Sequence, residues 1–282
     1  MPSSLLDAPN AIPMTANCHG LDLENGKATL SWARKRAPRA VEGTLQSDEV
    51  RQCNLAPGLY VVATPIGNLG DFSQRAIDVL RRCDLLACED TRVTGKLLKH
   101  FSIGAKLISC REENELEMAT VICDAVASGK LVALVCDAGT PLVSDPGFRV
   151  VRQCRRRGLP VFPIPGPSAA IAALSASGLP SNSFLFLGFP PNKSTGRRQL
   201  FSRHKSFPAT IIFYESCHRI RQSLSDALEE FGENRYCAVG REITKLHESW
   251  HVGKLCEVYC AISSRKPLGE YVLLIAADDF TL

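Results

Sequence analysis

The sequence predicts an α/β protein, built as two α/β domains with a ligand cleft between them, on three observations. Short apolar, β-branched runs alternate with segments of helical periodicity from residue 59 to residue 276. One run, Leu131-Val132-Ala133-Leu134-Val135-Cys136, is apolar without interruption, as expected of a strand buried on both faces of a parallel sheet. Glycine- and proline-marked turns around Gly67, Gly139 and Gly166 fall where strands end, the place at which open α/β sheets bind ligands. A chain of 282 residues with 45% hydrophobic content can bury one large or two modest cores, and the Gly-, Pro- and Ser-rich stretch 178–183 favours two.

In order, residues 1–57 lack sustained periodicity and are expected to form a mobile N-terminal extension. Asp7, Asp22, Glu24 and Glu42 speak against a transit peptide there. The N-terminal α/β domain is expected over 58–178. Residues 60–63 form its first strand, which stops at Thr64-Pro65-Ile66-Gly67-Asn68, where Pro65 ends ladder donation and Gly67 permits positive φ. Ser73 is an N-cap candidate for a helix carrying Ala76, Ile77, Val79 and Leu80 on one face. Residues 85–88 and 106–110 are strands, 93–101 and 115–128 helices, the latter stopped by Gly129. The strand 131–136 ends at Asp137-Ala138-Gly139-Thr140-Pro141. A helix over 150–157 and a strand over 160–163 lead to Gly166-Pro167-Ser168, which opens a further helix. Ser168 there exposes a hydroxyl and an N–H at a positive helix end, a natural anion site. The C-terminal α/β domain, 183–278, contains strands at 184–189, 210–214, 237–239 and 271–276 and a helix at 220–231.

Composition narrows the setting. The twelve cysteines lie inside apolar segments, with no CxxC pair and no histidine at zinc-ligand spacing, so they read as reduced core thiols of a cytoplasmic protein. Cys256 and Cys260, the closest pair, are only a weak sign of a metal. No apolar stretch reaches the ~20 residues of a membrane helix. The formal charge of +4 is mild, and its distribution matters more. Arg149, Arg152, Arg155, Arg156 and Arg157 read as the solvated face of a helix. Lys193, Arg197, Arg198, Arg203, His204 and Lys205 follow the loop signal Gly188-Phe189-Pro190-Pro191 and accompany Phe201 and Phe207. That run suits phosphate contact and base stacking on RNA, against a plain surface helix as the competing reading. On the first, reversing the charge of Arg197 and Arg198 weakens RNA binding.

None of the glycine turns is GxGxxG or GxxxxGK[ST], so neither a dinucleotide nor a nucleoside triphosphate is favoured, and a nucleoside-type cofactor pocket is the local reading. Asp137 is either an acceptor for a ribose hydroxyl or a loop cap. Glu89-Asp90-Thr91-Arg92 ends another strand, with its charges toward the same crevice; here the alternative is that Asp90 or Thr91 caps the next helix and Arg92 pairs with a carboxylate. Tyr214-Glu215-Ser216-Cys217-His218-Arg219 and Arg241-Glu242-Ile243-Thr244-Lys245 repeat the arrangement in the second domain, so charged strand ends face one another across a cleft.

The ordered series ATPIGNLGD, ACEDTRVTGKLL, CDAGTPLVSDPGF, PIPGPSAAIAALSASGLP, FLFLGFPP, FYESCHR and REITKLHE resembles the ribosomal RNA small subunit methyltransferase I family, within the tetrapyrrole methylase superfamily, over about residues 58–278. The resemblance implies a tetrapyrrole methylase-like fold and an S-adenosylmethionine-dependent 2′-O-methyltransferase. Its implied substrate is a cytidine ribose in the decoding region of 16S rRNA in the small ribosomal subunit, and its implied state a cytoplasmic homodimer. It places the cofactor between the domains, against Pro65, Ile66, Gly67 and Asn68, Asp137, Ala138, Gly139, Thr140, Pro141, Leu142 and Val143, and Ser168 and Ala169. Tyr214, Glu242 and Thr244 would form the wall of the second domain. The chain departs from the family at Arg111-Glu112-Glu113-Asn114-Glu115, where a histidine-rich HEHNE is usual, and at Cys217, where proline is usual. It is also expected to lack a small C-terminal domain found in many relatives.

Methyl transfer from a sulfonium needs alignment of oxygen, carbon and sulfur, and a ribose hydroxyl must lose its proton. Glu89 and Asp90, with Glu215 as the alternative, are the candidates to take it. Arg92, Arg219 and Lys245 would hold phosphate or the developing alkoxide, and no metal is required. Asp90→Asn is expected to cut turnover at least ~10²-fold. The competing readings are methylation of a tetrapyrrole or a protein by the same superfamily, and a non-catalytic RNA- or nucleotide-binding module.

Overall fold

The computed structural model describes residues 55–282, so the expectations for the N-terminal extension lie outside the described residues except at its last positions. The first sheet is wholly parallel. It contains β1 (Gly58–Val62), β2 (Leu85–Cys88), β3 (Leu107–Ser109), β4 (Leu131–Leu134) and β5 (Val161–Ile164) in the order β3-β2-β4-β1-β5. Side chains alternate across its two faces. Tyr60, Val62, Leu86, Cys88 and Ala133 pack on α1 (Gln74–Arg82) and α2 (Thr91–His100). Leu59, Ala87, Val132 and Leu134 pack on α3 (Glu115–Ala127) and α4 (Phe148–Arg156). Each such fully buried aliphatic side chain contributes about 1.5–3 kcal/mol. The chain leaving β1 crosses to β2, beyond β4, whereas the chain leaving β4 crosses to β5, beyond β1. These opposed crossovers open a crevice at the carboxyl ends of β1 and β4.

Local chemistry sets the helix starts. Ser73 caps α1, its Oγ accepting from the Ala76 N–H at 3.1 Å. The N-terminus of α4 is capped from a distance: Glu115, only 4% exposed, accepts from the N–H of Gly147 at 2.9 Å and of Arg149 at 2.7 Å. A buried carboxylate is tolerated there because two donors and the positive helix end compensate it.

The second sheet is mixed, in the order β6-β7-β10-β8-β9. Its strands are β6 (Phe184–Phe186), β7 (Thr210–Ser216), β8 (Tyr236–Arg241), β9 (Ser249–Lys254) and β10 (Glu270–Ile275); β6 and β7 are parallel and the other pairs antiparallel. One face packs Phe213, Val239 and Leu273 on α6 (Ser194–Arg203), α7 (Ile220–Phe231) and α8 (Leu255–Ser263). The other packs Ile212, Ala238, Val272 and Leu274 on Ala170, Ala173 and Leu174 of α5 (Ala169–Ala176). The helix that follows the first sheet is therefore covered by the second. Leu179, inside the stretch read as a linker, joins the same core, and Asn54–Leu282 forms one compact unit.

Two expectations are corrected. The basic run after Pro191 is the helix α6 rather than a loop, and Arg197 within it is fully buried, held by Asp226 at 2.5 and 2.7 Å. Arg198 pairs with Glu229 and Glu230 at 2.6 and 2.7 Å. Both arginines tie α6 to α7, and the buried Arg197 is not free for RNA. The sequence pattern also missed β9 and α8, because SWHVGK offers only two apolar residues, Trp250 and Val252, before Gly253, and Cys, Tyr and Glu dilute the helical stripe of α8. Among the described residues no helix is long and apolar enough to cross a membrane.

Candidate active site

The three predicted turns meet. Thr64, beyond β1, exchanges backbone hydrogen bonds with Gly139, beyond β4, at 2.8 and 3.1 Å. The Thr140 hydroxyl donates to the Pro167 carbonyl at 3.1 Å, joining the turn before α5. Asp137 Oδ1 accepts from the Asp90 N–H at 3.1 Å, joining the end of β2. Gly139 lies at φ +87°, and a Cβ there would sit 3.3 Å from Ile66 Cγ2, so the close approach of the turns favours glycine on both counts.

These turns floor a cavity of about 440 Å³ that β7 and β10 of the second sheet roof with Tyr214, Tyr271 and Val272. The Tyr214 hydroxyl accepts from the Ala170 N–H at 3.1 Å, which links the roof to the first turn of α5 and occupies one of the donors expected to be open for an anion. Phe186 and Phe189 set their rings edge-on to Tyr214, at 4.9 and 5.6 Å between centroids. Lys245 lines the cavity and is held by Glu242 at 2.9 Å and Glu270 at 2.8 Å. A Cβ on Gly67 would fall 2.3 Å from Lys245 Cγ, so the first turn lies directly against this lysine. Thr244, at φ +67°, has a buried hydroxyl that makes no hydrogen bond.

Of the residues expected at a cofactor, Ile66, Asp137, Ala138, Gly139, Thr140, Val143, Ser168, Ala169 and Tyr214 line this cavity. Pro65, Gly67, Asn68, Pro141, Leu142, Glu242 and Thr244 are not part of its wall. Asn68 is turned away, its side chain capping the short 3-10 turn Leu69–Asp71 through the Gly70 N–H. Leu142 belongs to the core beneath α4, and Glu242 supports Lys245 and the Glu270 N–H. Sequence reasoning missed Ser144, Asp145 and Phe189, and Glu270, Tyr271 and Val272 of β10. The β10 residues carry no local signal because strand alternation does not say what covers a face. Asp145 stood in a motif but after a helix-like loop rather than at a strand end.

The charged candidates separate by their partners. Asp90 is the N-cap of α2 and grips Arg92 through both oxygens, at 2.6 to 3.2 Å. Hydrogen bonds from Arg92 hold its carboxyl far below the usual range, so Asp90 is a poor proton acceptor. Glu215 is 1% exposed and accepts from Ser216 N–H, Ser223 Oγ and Arg219, while Arg219 also binds Asn192 and the Pro190 carbonyl. Glu215 thus touches the cavity with its hydrogen bonds already taken, and Arg219, at the N-terminus of α7, is engaged by Glu215, Asn192 and Pro190.

Glu89 differs. Burial pushes its pKa up, the charge of Asp137 adds to this, and Arg111 opposes it. Asp145 is pushed up to about 6 by burial and then by Glu89, against a hydrogen bond with Cys136. Glu89, Asp137, Ser144 and Asp145 also line a second cavity of about 720 Å³, so this wall is common to both spaces.

A carboxyl that binds its proton more tightly folded than unfolded opposes folding as pH rises between the two values, here from the ordinary ~3.9 of aspartate to about 6. Asp145→Asn is therefore expected to raise Tm at pH 7.5 and to give no gain at pH 4. Thermal melts at the two pH values check this; a variant melting lower than the parent at pH 7.5 would contradict it.

The comparisons agree with this architecture. Residues 58–259 match the family model of Tetrapyrrole (Corrin/Porphyrin) Methylases. The chain is 50% identical over 224 residues to a ribosomal RNA small subunit methyltransferase I of Vibrio cholerae, covering 79% of this chain and 78% of that protein. It is 48% identical over 219 residues to the protein of the same name from Escherichia coli O157:H7, with 77% of each covered. In fold it is similar to the uroporphyrin-III-C-methyltransferase of Thermus thermophilus (TM-score 0.54, 19% identity, 78% of this chain and 94% of that one). It is also similar to the methyltransferase CobJ (TM-score 0.59, 17% identity, 78% and 94% covered). With more than two thirds of its length matched at about half identity, and with the strand-end cavity in place, the chain belongs to the ribosomal RNA small subunit methyltransferase I family of tetrapyrrole methylases.

Proposed function

We propose that this protein transfers a methyl group from S-adenosylmethionine to the 2′-oxygen of a cytidine ribose in the decoding region of 16S rRNA, in the small ribosomal subunit, acting as a cytoplasmic homodimer. The observation that carries the reading is the wall of Glu89, Asp137 and Asp145 between a cofactor-sized cavity and an open one. Methylation of a hydroxyl requires a proton acceptor beside the donor, and this wall supplies carboxyls whose proton affinity is raised toward neutrality.

The residues fit the cofactor. A volume of about 440 Å³ lies within the ~300–1,000 Å³ of small-molecule sites, and the wall mixes Ile66, Val143, Ile243 and Val272 with the polar Asp137, Ser168 and Tyr214. When bound, the cofactor supplies a methyl carbon on a positively charged sulfur. Asp137 and the turn at Gly139 would hold the cofactor, and Tyr214 would close the roof over it. Glu89 would take the proton that the ribose hydroxyl gives up as its oxygen is methylated. Lys245, braced by two glutamates, keeps the first turn and the roof in register.

The test incubates the protein with labelled cofactor and small ribosomal subunits lacking the modification, then maps the methyl by nuclease digestion. Label on the 2′-oxygen of a 16S cytidine is expected, and S-adenosylhomocysteine at ~100 times its Kd should stabilise the fold by ~2.7 kcal/mol. Label on a base, a tetrapyrrole or a protein would overturn the substrate.

A further inference from the structure

The second cavity, about 720 Å³, has a chemistry of its own. Its floor is the acidic wall shared with the cofactor cavity, and above it Arg92, Arg111 and Arg149 stand among the carboxylates of Asp90, Glu112, Glu113 and Glu115. Arg92 stands at the mouth with 83% of its side chain exposed, although paired with Asp90. Arg111 is anchored by its Nε to the Glu89 carbonyl at 3.2 Å. Arg149, at 46% side-chain exposure, is 3.8 Å from Glu115, a loose contact that leaves its charge available at the rim. One wall is aromatic. Phe148, the first residue of α4, is 61% exposed, and its ring lies 5.9 Å from the Arg152 guanidinium. The backbone beneath it is fixed by the Glu115 cap, so this exposed ring sits on a rigid support.

Three arginines set among carboxylates, beside one exposed aromatic face, do not suit a flat apolar macrocycle. They suit one nucleotide turned into the protein, with phosphates outward, base on the ring and ribose inward. RNA-binding sites commonly take unstacked bases onto aromatic side chains, and enzymes that modify a nucleotide extrude it into a pocket. The rest of the surface offers a weaker candidate. The α6 cluster read from the sequence has lost Arg197 to a buried ion pair and lines neither cavity.

We propose that the 720 Å³ cavity receives a single extruded RNA nucleotide, its base stacked on Phe148, its flanking phosphates at Arg92, Arg111 and Arg149, and its 2′-hydroxyl against the wall of Glu89 and Asp145. The proposal rests on the ribose-methylating reading, and assigns Phe148 as a positioning residue of the substrate.

The experiment compares Phe148→Ala, Phe148→Trp, Arg92→Ala, Arg149→Ala and a Lys193→Glu/Arg203→Glu/Lys205→Glu variant with the parent protein. It reads KM and kcat for unmodified small subunits, subunit binding by filter retention, and S-adenosylhomocysteine affinity by calorimetry. Loss of one stacked base is expected to weaken subunit binding and raise KM by about 5- to 150-fold in Phe148→Ala. Cofactor-product affinity should stay within about 2-fold, and Phe148→Trp should recover most of the loss. Arg92→Ala and Arg149→Ala should each lower the slope of log affinity against log salt by about 1. Unchanged KM and binding in Phe148→Ala, or weakening confined to the α6 variant, overturns the proposal. So does a matching loss of cofactor-product affinity, which would move Phe148 to the other cavity. If the parent bound subunits but methylated no ribose, the functional reading would fail, while the binding series would still decide whether this cavity holds RNA.

Discussion

Replacing Arg197 by methionine is expected to lower the free energy of unfolding by ~3–5 kcal/mol, because it leaves the Asp226 carboxylate buried without its counter-ion. The pair is almost sealed: 1% of the Arg197 side chain and 9% of that of Asp226 are exposed. Arg197 also donates to the Pro191 and Asn192 carbonyls, both at 3.3 Å, and Asp226 accepts from Ser194 Oγ at 2.8 Å. One substitution thus disconnects the entry of α6 from α7. Urea denaturation followed by circular dichroism measures the loss, and a change below ~1 kcal/mol would contradict it. Replacing both partners, Arg197→Met with Asp226→Leu, should recover much of the stability, since no unpaired charge then remains buried. This result also separates stability from recognition. Weak RNA binding by an Arg197 charge-reversal variant would report unfolding of α6, not a lost phosphate contact.

Glu89→Gln is expected to reduce turnover by at least ~10²-fold, the ordinary weight of acid–base assistance, with S-adenosylhomocysteine affinity held within ~3-fold. Its backbone is pinned, the carbonyl accepting from Ser109 Oγ at 3.3 Å and Arg111 Nε at 3.2 Å, so the amide keeps the geometry and loses only basicity. A base must be deprotonated to act, and burial raises the Glu89 pKa. Activity should therefore fall, on acidification, at a higher pH than an unperturbed glutamate would give. Rates with unmodified subunits across pH 5–8 check this, and a glutamine variant keeping a third of parental turnover would remove Glu89 from the chemistry. Asp90→Asn is the companion control. An asparagine oxygen still caps α2, so turnover should stay near the parent's, in contrast to the large loss that its motif position alone suggests.

The two substitutions show where sequence reading reached and where it stopped. The turns at Gly67, Gly139 and Gly166 were legible because glycine and proline after an apolar run mark a strand end wherever the run lies. The roles of the charged residues beside them were not. Asp90, Glu89 and Asp145 have the same chemistry in the sequence, yet one caps a helix and grips Arg92 while the other two share a buried wall. Likewise Arg197 and Arg149 both stand in basic runs, and only the fold buries the first and leaves the second at a cavity rim.

The sequence by itself determined the five strands of the first sheet, the turns at their carboxyl ends and the family. Each of these depends on local periodicity or on an ordered motif. Only the tertiary structure decided that α5 joins the two sheets in one core, that Glu115 caps α4, that Glu215 and Arg219 satisfy each other, and that β10 roofs the cavity. Periodicity records which side chains leave water, but whether a charge becomes a cap, a buried ion pair or a base depends on neighbours that only the fold brings close, such as Gly147 for Glu115, Asp226 for Arg197 and Glu89 for Asp145.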